Sequence, residues 1–125
     1  MTTMPESVRD AWERRNGPAI LTTVSQDGIP NSIYVTCVGR FDDETLLIAD
    51  NYFDKTRANL LVGTPGALLF HAEDGAAFQV KGSLERYTEG PYFEHMKGWN
   101  PSKHPGHAVA VLRIDEIYSG SKRIV

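Results

Sequence analysis

The chain has 125 residues, enough for one domain, 1–125, that buries a working core without disulfides or metal. Lys and Arg number 13 against 16 Asp and Glu, so a net charge of −3 offers no basic footprint for nucleic acid, and 41% hydrophobic with 23% charged residues is ordinary for a soluble globular protein. The single cysteine, Cys37, excludes an internal disulfide and a cysteine-rich zinc site; no apolar run reaches membrane-spanning length, and Glu6 and Asp10 stand where a signal peptide has its apolar core, so the expectation is a cytoplasmic protein.

Residues 5–16 read as a helix, with Val8, Ala11 and Trp12 at i, i+3, i+4 facing a core and Asn16-Gly17-Pro18 as terminator. The pattern then turns to β. A strand over 19–25, a turn at Gln26-Asp27-Gly28 and a return strand over 31–38 predict a hairpin. Asp42-Asp43-Glu44 turns into a further strand, 45–49.

The stretch that follows, Asp50 to Leu60, carries the first functional signal. A strand passes through a short polar loop into a helix that begins Lys55-Thr56-Arg57. The first N–H groups of a helix lack internal partners and sit at the positive end of its dipole, so an anion such as a phosphate finds its donors already in place. Lys55 adds a charge and Thr56 a hydroxyl; Asp54 reads as the N-cap, and Leu60, Leu61 and Val62 as the inner face before Gly63 and Pro65. A capped surface helix with a solvated lysine is the plainer reading of the same residues.

Strands over 67–72 and 76–87 flank a turn at Asp74-Gly75, and Gly82 within the second marks a bulge or bend of the kind a closing sheet needs. Glu89-Gly90-Pro91 opens a short helix to Lys97. Residues 99–106 form a shaped, proline-bearing loop, and 107–114 is the last clear strand. Six strands in mostly antiparallel hairpins, with one strand-to-helix crossover and helices at the periphery, predict a mainly β fold: a six-stranded antiparallel barrel.

The order of these signals resembles a known family. Asp27-Gly28-Ile29-Pro30-Asn31, Asp54-Lys55-Thr56-Arg57-Ala58-Asn59-Leu60, Phe78-Gln79-Val80-Lys81-Gly82-Ser83 and Gly90-Pro91-Tyr92-Phe93-Glu94 are similar to the FMN-binding split barrels of the pyridoxamine 5′-phosphate oxidase superfamily, most of all to its small stand-alone members. Charge and the lack of a spanning apolar run leave no part for nucleic acid or membrane; the resemblance implies a homodimer with FMN at the subunit interface. It implies that Lys55 and Thr56 hold the phosphate, that the ring lies along Asn31, Ser32, Ile33, Tyr34 and Val35, and that Ala49, Asp50 and Asn51 approach it. It also implies that Gln79 reaches the FMN of the second subunit. The family's pyridoxal phosphate-forming oxidases are longer, with Arg and His in a C-terminal segment and a basic motif on the flavin strand. Only Lys122 and Arg123 stand near the end here, and Ser32 to Cys37 has neither Arg nor Lys, so pyridoxal phosphate synthesis is not expected.

Of the four histidines, His104 and His107 have no carboxylate or cysteine nearby at ligand spacing and His71 reads as a hydrogen-bonded sheet residue, so no metal site is expected. Cys37, without a cationic neighbour in sequence, reads as a packing residue. Trp99 and Tyr52 are the aromatics suited to cover a flavin, Trp99 serving equally well as an anchor for its loop or for a partner. The function expected is an FMN flavoprotein, either an oxidoreductase acting on a small molecule or an electron carrier docking on a redox partner. A split barrel holding haem or a deazaflavin is the alternative.

Overall fold

Short apolar runs punctuated by turn residues fold into a curled antiparallel sheet with three peripheral helices in a computed structural model of the chain, which describes residues 2–125. In chain order the elements are α1 (Glu6–Glu13), β1 (Ala19–Val24), β2 (Pro30–Val35), β3 (Val38–Asp42), β4 (Thr45–Asp50), α2 (Lys55–Val62), β5 (Gly66–His71), β6 (Ala77–Tyr87), α3 (Pro91–Trp99), β7 (Ala108–Ser119) and β8 (Lys122–Arg123). The strands are ordered β2-β1-β5-β6-β7-β4-β3, with β8 added to β7.

The outermost strands of that path, β2 and β3, are neighbours in sequence, joined by Thr36 and Cys37 alone. A sheet whose two edges are tied by so short a link must curl until they meet there. Beyond the link, β2 and β3 are not paired with each other, so the barrel is split. The Cys37 carbonyl accepts the Ala49 N–H at 2.9 Å and pins the junction to β4.

Eight strands stand where six were expected. The run 31–38, read as one strand, holds most of β2 and the first residue of β3. Thr36 and Cys37 carry the chain from one edge to the other, and neither is a turn former that would mark the break. The last strand also runs on to Ser119, because β7 pairs with β4 through Arg113 and continues along β6 to Tyr118. Gly82 does sit at an irregularity: the register shifts there, and a Cβ on it would lie 1.8 Å from the Arg113 carbonyl oxygen, a clash with backbone that only glycine avoids.

The core fills the inside of the curl. Every residue of β4 is buried, and Trp12 of α1 meets Phe70 of β5 edge to face with ring centroids 5.0 Å apart. Val8, Ala11 and Trp12 are buried as the helical spacing predicts. Helix α2 departs from expectation. Its buried side is Thr56, Asn59 and Leu60, whereas Leu61 is 70% exposed. At 100° per residue, Leu61 and Val62 are carried away from the face that Leu60 and Thr56 share. No helix is long and apolar enough to cross a membrane among the described residues.

Candidate functional site

Where the edge strand β2 faces the end of β4 and the loop after it, the fold leaves a cleft of about 310 Å³. Ile33 to Cys37 form one wall, Ala49 and the segment Asn51 to Phe53 the other, and His104 joins them from the loop after α3. Because β2 pairs only with β1, its other backbone edge is free of ladder bonds, and strand N–H and C=O groups are open to a ligand lying along it.

At the far end of β2, Asn31 donates from Nδ2 to Thr56 Oγ1 at 3.1 Å, which ties the strand to the start of α2. That helix start is uncapped. Asp54 occupies the capping position but makes no side-chain capping bond, so the first-turn amides lack a side-chain acceptor. Lys55 is exposed and has no ion-pair partner among the described residues. Thr56 is 2% exposed, and since its oxygen accepts from Asn31, its own hydrogen is left to donate.

Asp50 and Asn51 are engaged differently. Asp50, at 0% exposure, receives Arg57 through Nε and Nη2 at 3.0 Å each, Arg86 Nε at 3.3 Å and the Phe53 N–H at 3.2 Å. Burial works against its charge, but the bonds from Arg57, Phe53 and Arg86 outweigh it and hold the carboxyl below its ordinary range. Asn51 exchanges amide bonds with Asn100 at 3.1 and 2.9 Å and accepts the Gly106 N–H at 2.9 Å. Its side chain therefore fastens the loop of residues 100–107 to the cleft wall.

The remaining sequence-derived residues fall in two places. Ser32 points to the outer sheet face and bonds Thr22 at 2.8 Å. Gln79 lies on that face too, in a register row Gln79–Leu69–Ile20–Tyr34 running across β6, β5, β1 and β2. Trp99 is not in the cleft lining but in an adjoining hollow, its ring over Gly39, where a Cβ would come within 2.7 Å of it. Among the described residues no group of His, Cys, Asp and Glu has the arrangement to hold a metal ion.

A sequence profile described as pyridoxamine 5′-phosphate oxidase matches residues 4–119. The chain belongs to the pyridoxamine 5′-phosphate oxidase family. An uncharacterized protein of Methanocaldococcus jannaschii is 36% identical over 110 residues, covering 83% of this chain and 73% of its own length. Among solved structures, HupZ of Group A Streptococcus superposes with a TM-score of 0.80 at 24% identity, covering 93% of each chain. An FMN-binding protein from Syntrophomonas wolfei superposes with a TM-score of 0.69 at 23% identity, covering 93% of this chain and 85% of that one. The family's split barrel is thus the fold of this chain.

One feature of this family member was not legible in its sequence. Tyr52, 70% exposed, stacks edge to face on His104 and shares a hydrogen bond of 3.1 Å with its Nδ1, so that the loop after α3 closes onto the cleft. The residues are 52 positions apart. Only the Pro and Gly spacing of residues 99–106 hinted that this loop had a fixed shape.

Proposed function

We propose that the chain is a flavoprotein that holds FMN non-covalently in this cleft, as a homodimer with the cofactor at the subunit interface, and that its chemistry is oxidation and reduction. The observation that carries the reading is the start of α2. Uncapped amides, an unpartnered Lys55 and the donating hydroxyl of Thr56 converge beside a cleft whose lining contains no carboxylate. Family membership and the likeness to a solved FMN-binding protein support the same cofactor.

FMN, when bound, supplies exchange of electrons or a hydride at its ring. This chain's residues bind and orient. Lys55, Thr56 and the α2 amides take the phosphate, the free edge of β2 offers backbone donors and acceptors to the ring's polar rim, and Ala49 with Phe53 excludes water from its apolar part. The second subunit enters through the outer sheet face. Tyr34 is 76% and Leu69 42% exposed there, and Tyr34 borders both this apolar face and the cleft, so a partner covering one reaches the other. Three strand spacings, about 14 Å, separate the row position of Gln79 from that of Tyr34 within one subunit, so Gln79 would meet FMN from the partner.

The visible spectrum of the purified protein, with identification of what heat releases, tests the reading. Bands near ~370 and ~450 nm and released FMN are expected, the ring chemistry being the cofactor's own. A colourless protein that takes up no added FMN overturns it, as does release of haem or a deazaflavin. Sedimentation equilibrium tests the dimer, with Leu69→Asp expected to yield monomer.

A further inference from the structure

We infer that the hollow adjoining the cleft is a subsite for a small planar carboxylate, the substrate side of the flavin site, and in that respect the inference rests on the reading above. The hollow measures about 390 Å³ and shares Thr36, Cys37 and His104 with the cleft, so a molecule lying in it would lie beside the cleft's occupant.

Its lining defines the ligand. Val38, Trp99 and Pro101 supply apolar surface; the Trp99 N–H is already donated to His95 Nδ1 at 3.0 Å, so the indole offers the hollow its carbon framework rather than a polar group. Lys103 supplies the charge. Neither cavity is lined by an Asp or Glu, in a chain with 16 of them, and Lys103 has no ion-pair partner among the described residues. No lysine is ion-paired among the described residues, and what sets Lys103 apart from Lys81, which lines a hollow together with Asp115 and Glu116, is a lining without carboxylates. An unopposed ammonium beside a flat apolar wall selects a planar anion. One ammonium, with no guanidinium fork and no helix start in the lining, matches the single charge of a carboxylate better than a phosphate, which takes several donors.

The hollow is also held in shape before any ligand arrives. The Asn51–Asn100 amide pair, the Gly106 N–H on Asn51, Lys97 Nζ on the Pro105 carbonyl at 3.1 Å and the Tyr52–His104 bond fix both ends of the loop that carries Lys103. Little ordering is left for binding to impose.

The two tryptophans give two indole cross-peaks in a ¹⁵N–¹H spectrum, and Trp12 is buried, so Trp99 is a local reporter. The FMN-loaded protein is titrated with benzoate and with benzamide, which has the same shape and no charge. Benzoate is expected to shift the Trp99 peak saturably and leave Trp12 in place, with benzamide about tenfold weaker, the scale of one charge-assisted hydrogen bond. Lys103→Ala should bring benzoate down to the benzamide level, and Lys103→Arg should restore it. Equal binding of benzamide, undiminished binding in Lys103→Ala, or no saturable benzoate shift overturns the subsite. Flavin absorbance in the same tubes separates the two readings. FMN bound with benzoate silent removes the subsite and leaves the flavin; benzoate saturating at Trp99 on protein that takes no FMN supports the carboxylate site and removes the flavin.

Discussion

The pairs Asp50-Asn51 and Lys55-Thr56 stand in one short stretch from the end of β4 to the start of α2, are equally polar, and were both expected at the ligand. Their hydrogen bonds divide them. Asp50 accepts from two arginines and a backbone amide, and Asn51 is engaged by Asn100 and Gly106, so both side chains are committed to the protein itself. Lys55 has no partner among the described residues, and Thr56 has a hydrogen left to donate. The first pair builds the wall and fastens the loop; the second leaves capacity for an anion. Residue type and sequence position do not distinguish such roles, whereas an account of which polar groups are already satisfied does.

With the side chains so divided, stability and ligand affinity respond to different residues. The largest loss of stability is expected for Asp50→Ala, about 3 kcal/mol in urea denaturation, since a carboxylate at 0% exposure is removed from beneath Arg86 and the Phe53 N–H loses its acceptor. Unchanged stability in that variant would remove Asp50 from the residues that build the wall. The same group sets a pH dependence. Its folded carboxyl titrates below its ordinary value, so its stabilisation is fully present above about pH 4, where the unfolded group is ionised, and is lost as pH falls through the lower folded value. Asp50→Asn should flatten that acid limb, measured by thermal midpoints across the range.

Asn51→Ala comes next, at about 2 kcal/mol, because the Gly106 N–H and the Asn100 amide are left unsatisfied. The sharper readout is local. Amide exchange at Gly106 should speed up while that of β4 and β7 stays slow, and uniform acceleration would mean that Asn51 supports the whole fold rather than the loop.

Much of this fold was legible because its signals are local. Val8, Ala11 and Trp12 mark a helix by spacing, turn residues bound β1, β5 and β6, and Gly82 marks the irregularity in β6. The break between β2 and β3 was not, since Thr36 and Cys37 are strand-compatible residues and the chain's passage to the other sheet edge is decided by pairings with β1 and β4. The candidate site divides the same way. Lys55 and Thr56 announce themselves by adjacency at a helix start, while the Asp50–Arg86 pair and the Tyr52–His104 contact join residues 36 and 52 positions apart and leave no trace in either neighbourhood.

Lys55→Ala is expected to act on the ligand alone. FMN retention, followed by release on dilution, should weaken by about tenfold or more, while urea stability stays unchanged because no group among the described residues is ion-paired with this ammonium. Loss of stability in this variant would place Lys55 with the wall-building residues after all.

Thr56→Val is the smallest effect and the most discriminating. The swap keeps the buried shape and removes only the hydroxyl, so Asn31 Nδ2 loses an acceptor and a bound phosphate loses a donor. Both losses are about 1 kcal/mol, but they appear in different measurements, the first in stability without ligand and the second in FMN affinity. Thr56→Ser keeps both bonds and should retain FMN affinity, at the cost in stability of one buried methyl group. If Thr56→Val lowers stability and leaves FMN affinity untouched, the hydroxyl serves β2 alone, and the anion site shrinks to Lys55 and the uncapped amides of α2.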